Sequence, residues 1–174
     1  MIKDGKIVIY PTDTVYGLGG DATNEDTIKR IYEIKKRSES KALSVIMADF
    51  AMVSNYCELN EPQEMILKKC LPGPYTFILK AKKKMNITVN DRLAVRIPDN
   101  DFIREVSIRF GKPIISTSAN ISGGKDVITF DNMHQEILNA CDLAIDAGET
   151  RYRNSSTIVD LVQNRLLREG AGIW

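Results

Sequence analysis

Short runs rich in Val and Ile recur along this chain, each too brief for a helix: residues 6–10, 43–48, 75–80, 93–97, 113–116, 143–145, 156–161 and 165–168. Their length and β-branched content predict strands. Helical patterns fall between them, but unevenly. Residues 25–36 set Ile28, Ile31, Tyr32 and Lys35 on one side, with Thr23 and Asp26 as start signals. A second helix opens near Asn60, where Pro62 is tolerated in the first turn. A third covers about 101–110 and stops at Gly111, and a fourth covers 133–140. Adjacent strands near Ala81 and Gln163 break the alternation. The expected architecture is therefore α/β, a mixed parallel and antiparallel sheet flanked by helices, not a regular doubly wound fold.

No linker or repeat divides the 174 residues, so a single domain over 1–174 is expected. Lys and Arg number 24 against 23 Asp and Glu, a formal charge of +1. That balance gives no global reason to bind nucleic acid, so any anion site must come from a local cluster of cations. No run of about 18 apolar residues suggests a membrane span, and the charged N-terminus does not suit a signal peptide. A cytoplasmic location is expected. Cys57, Cys70 and Cys141 lack the close pairing that zinc needs; they read as ordinary thiols, and no protein-held metal is expected.

Several segments could carry chemistry. Residues 11–22 pass from a strand into Thr12, Asp13, Thr14, Tyr16, Gly17, Gly19 and Gly20. Hydroxyls there could bind a polar ligand and the glycines could let backbone approach it; a long turn explains them equally well. Lys35, Arg37 and Lys41 gather where the first helix ends. They either complement the helix dipole or clamp phosphate and carboxylate oxygens. Ser116, Thr117, Ser118 and Asn120 follow the run 113–115 and could donate to phosphate oxygens or shape a turn. Arg96 sits within an apolar strand and needs an anion, either a structural carboxylate or a ligand. Ser156 opens a strand and Arg168 ends one.

Missing features narrow the chemistry. There is no phosphate-loop motif. His134 is the only histidine and lies in a polar stretch, which argues against a histidine-dependent triad. The run Lys80-Ala81-Lys82-Lys83-Lys84 reads as a solvated hairpin end that could touch RNA phosphates weakly.

Together these segments resemble the YrdC family. The resemblance rests on PTDTVYGLGGDA (11–22), Lys35-x-Arg37, LPGPYTFIL (71–79), LAVRIPD (93–99), PIISTSANISG (113–123), DAG (146–148), STIVDL (156–161) and LLREGA (166–171), in family order. It implies a curved mixed sheet around a central cationic cavity, where ATP with magnesium, L-threonine and bicarbonate form L-threonylcarbamoyl-AMP and pyrophosphate. This is the first step of a tRNA modification, so a downstream transferase and tRNA are indirect partners. By the same resemblance Thr14, Lys41, Arg96 and Ser156 surround threonine. Lys35, Arg37, Ser116, Ser118, Asn120 and Arg168 surround ATP, with Lys35 and Arg37 acting in catalysis. The chain departs from the pattern at Lys36, Ser38 and Ala42, where the family often has Gly or Pro, and at Leu71, where Trp is common. Two alternatives are a double-stranded or ribosomal RNA-binding module, and carbamoyl transfer in hydrogenase maturation. The second would need zinc-finger and acylphosphatase segments, which the sequence lacks.

Overall fold

A computed structural model describes residues 1–174. The strands are β1 (Val8–Tyr10), β2 (Gly17–Gly19), β3 (Ser44–Ile46), β4 (Cys57–Glu58), β5 (Tyr75–Ala81), β6 (Arg92–Arg96), β7 (Ile114–Ser118), β8 (Leu143–Ala144), β9 (Thr157–Asp160) and β10 (Arg165–Arg168). The helices are α1 (Glu25–Ile34), α2 (Phe50–Tyr56), α3 (Glu61–Cys70), α4 (Asp101–Phe110) and α5 (Gln135–Ala140). All strands join one sheet in the order β10-β9-β5-β6-β3-β7-β2-β1-β8, and β4 pairs with the far end of β5. The β5/β9, β3/β6 and β1/β8 pairs are parallel; the others are antiparallel. The sheet is mixed, as expected.

Strand alternation explains why this sheet carries both a core and a site. One face holds the continuous row Val159, Phe77, Val95, Val45 and Ile115, residues directly paired across five strands and all within 1% of full burial. The neighbouring row on the opposite face is Ile78, Ala94, Ser44 and Ser116. Side chains two residues away share its face, which adds Thr76, Arg96 and Ser118. Further along that face the surface becomes apolar again. There Ile46 and Ile114 join Val8, Tyr10 and Ile103 in a second, smaller core under α4.

Local signals set the helix ends. Asn24, not Thr23, caps α1 by accepting from the Thr27 amide; Thr23 is instead held by the Asp21 carboxylate. Asn60 and Gln63 form a reciprocal capping box on α3. Gly111, in the left-handed conformation, ends α4 where the sequence indicated. Helix α1 stops at Ile34, two residues short of the expected end, because Lys36 turns left-handed with φ 48°. Strand β2 was not among the expected strands; by sequence its segment reads as either a ligand-approach loop or a long turn. Its glycines serve packing: a Cβ on Gly19 would lie 1.7 Å from the Ile115 carbonyl oxygen, and one on Gly17 would meet the Tyr10 ring at 2.7 Å. No helix is long and apolar enough to cross a membrane.

Candidate active site

The polar face of the sheet forms the floor of a cavity of about 460 Å³. Arg37, Arg96 and Arg168 line it with Thr and Ser side chains from β3, β5, β7 and the segments before β2 and β9, and no carboxylate lines it. Of the expected site residues, Thr14, Arg37, Arg96, Ser116, Ser118, Ser156 and Arg168 meet there. Lys35, Lys41 and Asn120 do not line it.

Each arginine is held differently. Arg96 donates through one terminal nitrogen to Asp13 at 2.5 Å and through the other to the Thr14 hydroxyl at 3.0 Å. Asp13 is buried, and its second oxygen accepts from the Asp99 amide. The strand arginine therefore has its structural carboxylate, yet it also faces the cavity, and its Nε remains buried without a partner. Arg168 lies along the start of β9, donating to the Ser156 carbonyl from Nε at 3.0 Å and from a terminal nitrogen at 2.7 Å. Burial, with the Arg96 charge, holds the Arg168 guanidinium below the usual arginine range, although Asp126 opposes the shift. Arg37 is only half-buried; it donates to the Ala42 carbonyl at 2.9 Å and so ties the loop after α1 to the cavity rim.

Lys35 closes the apolar stripe of α1 and is 1% exposed. Its ammonium donates to the Ser118 carbonyl, the Asn120 carbonyl and Asn120 Oδ1. It lies beneath the loop after β7 rather than in the cavity. Burial, reinforced by Arg37, pushes its pKa down to about 8. Asn120 accepts from Ser118 Oγ as well and donates to the Gly124 and Lys125 carbonyls, so it sits behind Ser118. Lys41 is exposed and contributes its carbonyl, which accepts from Tyr32 at 3.1 Å.

Sequence reasoning missed Ser44 and Thr76, lone hydroxyls inside runs read as apolar strands. Their signal was the alternation itself, since each faces opposite to its apolar neighbours. Thr76 meets the Ser156 hydroxyl at 2.8 Å, and Ser44 donates to the Ser116 carbonyl. Outside the cavity, His134 is exposed at the start of α5, and the basic run is partly engaged: Lys80 pairs with Glu58 and Lys82 donates to the Ser54 carbonyl.

A mixed sheet with an arginine- and hydroxyl-lined cavity on one face defines an α/β protein built to hold an anionic, oxygen-rich ligand. A family model for Sua5, YciO and YrdC, described as telomere recombination, matches residues 1–170. The chain belongs to the Sua5/YciO/YrdC family. A Methanocaldococcus jannaschii relative is 40% identical over 172 residues, covering 97% of this chain and 82% of its own. The threonylcarbamoyl-AMP synthase of Vibrio parahaemolyticus is 34% identical, covering 97% and 95%. The crystal structure of Pyrococcus abyssi Sua5 complexed with L-threonine superposes with a TM-score of 0.91 at 35% identity. That alignment covers 97% of this chain and 52% of the Sua5 chain, so the present chain spans about half of that relative.

Proposed function

We propose that this chain joins L-threonine, bicarbonate and ATP into L-threonylcarbamoyl-AMP with release of pyrophosphate, ahead of threonylcarbamoyl transfer to tRNA. The observation that carries the reading is the cavity wall, where Arg37, Arg96 and Arg168 converge among hydroxyls without a carboxylate, cysteine or histidine. Such a wall suits substrates that bring both their own nucleophile and their own negative charge. The threonine amine attacks the bicarbonate carbon and, with loss of water, gives a carbamate. A carbamate oxygen then attacks the α-phosphorus, and the bond to pyrophosphate breaks with its electron pair leaving on pyrophosphate. No covalent link to the protein is required. Guanidinium forks match carboxylate and phosphate oxygens, and cations already fixed in place stabilise developing charge without reorganising.

On this reading Arg96, Thr14 and Ser156 hold threonine, while Arg37, Ser116, Ser118 and Arg168 hold the nucleotide. Lys35 and Asn120 act on ATP by fixing the loop that presents Ser118. Lys41 bears on the site only through its carbonyl, which accepts from Arg37 Nε at 3.4 Å. Magnesium would come with ATP. The wall does not fit a protein-held ion: three arginines and hydroxyls line it, the nearby Asp13 is committed to Arg96 and the Asp99 amide, and no cluster of three His, Cys, Asp or Glu side chains could hold a metal.

The test is pyrophosphate release from ATP with L-threonine and bicarbonate omitted in turn. Release should need both, and the adenylate should form with no RNA present. Equal release without threonine would refute the reading. The RNA-module reading is not favoured, because two lysines of the basic run are already satisfied within the chain.

A further inference from the structure

Behind the cavity, the segment after β10 folds back across the start of β9. Thr157, the first residue of β9, is fully buried and does not line the cavity. Its hydroxyl uses both its donor and its acceptor capacity on this segment. It donates to the Gly172 carbonyl at 2.5 Å and accepts from the Gly170 amide at 3.0 Å. Beside it the Ala171 amide donates to the Ser155 carbonyl at 2.8 Å. The approach is too close for side chains: a Cβ on Gly170 would lie 2.3 Å from the Ser155 carbonyl oxygen, and one on Gly172 would lie 2.4 Å from the Tyr75 ring. Tyr75 in turn donates to the Ile173 carbonyl, and the chain's single tryptophan, Trp174, stands edge-on to Phe77 at 6.0 Å.

This clamp grips the backbone on which two cavity groups depend. Ser156 places its hydroxyl in the cavity, and its carbonyl is the seat of Arg168. Arg168 lies only two residues before Gly170, so the strap sets both ends of the Arg168–Ser156 contact. We infer that Thr157 is a positioning residue for nucleotide binding, acting through the strap at 170–173 on Arg168 and Ser156 without touching substrate. The inference rests on the function proposed above.

The test replaces Thr157 by Val, which keeps the shape and loses both hydrogen bonds, and by Ser, which keeps them. ATP affinity is measured by calorimetry and strap docking by acrylamide quenching of Trp174. Thr157→Val should raise the quenching of Trp174, which is 51% exposed in the docked strap, and weaken ATP binding about tenfold, the effect expected of losing buried hydrogen bonds. Its KM for ATP should rise more than its kcat falls, and Thr157→Ser should restore both affinity and quenching. A role confined to stability would loosen Trp174 and leave ATP affinity unchanged, which would overturn the inference. Tyr75→Phe provides a milder route should Thr157→Val not fold, since it removes only the strap's contact at Ile173. It too must loosen Trp174 and weaken ATP binding; a loosened strap with unaltered affinity has the same adverse meaning. Wild-type protein that binds no ATP would remove the functional reading itself and this inference with it. Wild-type binding matched by both variants would remove the inference alone.

Discussion

The Lys35 ammonium lies 2.7 Å from the Asn120 carbonyl and 3.1 Å from its side-chain oxygen, so two residues expected to touch ATP instead hold each other. With the Ser118 carbonyl as third acceptor, every ammonium donor of Lys35 is used. The neighbouring cation, Arg37, faces the cavity and is half-buried. The two should therefore fail differently. Lys35→Met leaves buried acceptors unpaired and should cost about 2–4 kcal/mol of stability, along with weaker ATP binding. Arg37→Met should cost under about 1 kcal/mol of stability while lowering turnover roughly 10²–10³-fold. Urea unfolding beside steady-state kinetics checks the pair; equal stability losses would contradict the placement.

The depressed pKa of Lys35 gives a sign that can be read. An unfolded lysine titrates near 10.5, while the folded one is pushed down to about 8. Between those values the unfolded chain binds more protons, so this group's contribution to stability rises with pH. The other titrating groups are shared by wild type and Lys35→Met, and their effects cancel in the difference. The stability advantage of wild type over Lys35→Met should thus be larger at pH 9.5 than at pH 7. A gap that narrows across that range would be incompatible with a lowered pKa.

How far the sequence could be read depended on whether a signal was local. The helical spacing of Ile28, Ile31, Tyr32 and Lys35 already put the lysine at the end of an apolar stripe, but its acceptors lie more than 80 residues away. An arginine in the apolar strand β6 required an anion, yet nothing local distinguished Asp13 from other carboxylates. The glycines of β2 read equally well as ligand-approach or turn residues, because the Tyr10 ring and the Ile115 carbonyl that exclude a side chain come from other strands; Gly17 also lines the cavity. Helix α2 was overlooked for want of an apolar stripe, though Asp49 caps it by accepting from the Met52 amide. The chain motifs at 113–123 and 156–171 pointed to Ser118, Ser156 and Arg168, which sit where strands begin or end and line the cavity.

The buried pair of Asp13 and Arg96 allows a third test. Asp13→Asn removes the counter-charge of Arg96 and leaves it only neutral oxygen acceptors, and breaking a buried ion pair from one side costs about 3–5 kcal/mol. Adding Arg96→Met removes the stranded charge. The double variant should be more stable than Asp13→Asn alone, yet inactive if Arg96 holds threonine. Chemical denaturation of the two single variants and the double variant gives the coupling. Additive losses would mean that the two side chains do not depend on each other.

Lys36 provides the last prediction, because it stands where the family often has glycine and occupies the left-handed conformation with φ 48°. That conformation costs an L side chain about 1 kcal/mol, and glycine avoids the cost. Against relief of that strain stands the ion pair of Lys36 with Glu136 at 2.7 Å, both side chains about half exposed. Exposed pairs contribute about 0–1 kcal/mol, so the strain term should prevail. Lys36→Gly is expected to raise stability by up to about 1 kcal/mol, whereas Lys36→Ala, which loses the pair and keeps the strain, should lower it. Thermal unfolding at low and high salt separates the terms, because salt weakens only the ion pair. The glycine variant should therefore gain equally over wild type at both salts if the pair is negligible, and more at high salt if it is not. A glycine variant less stable than the alanine variant at both salts would show that the turn after α1 does not strain Lys36.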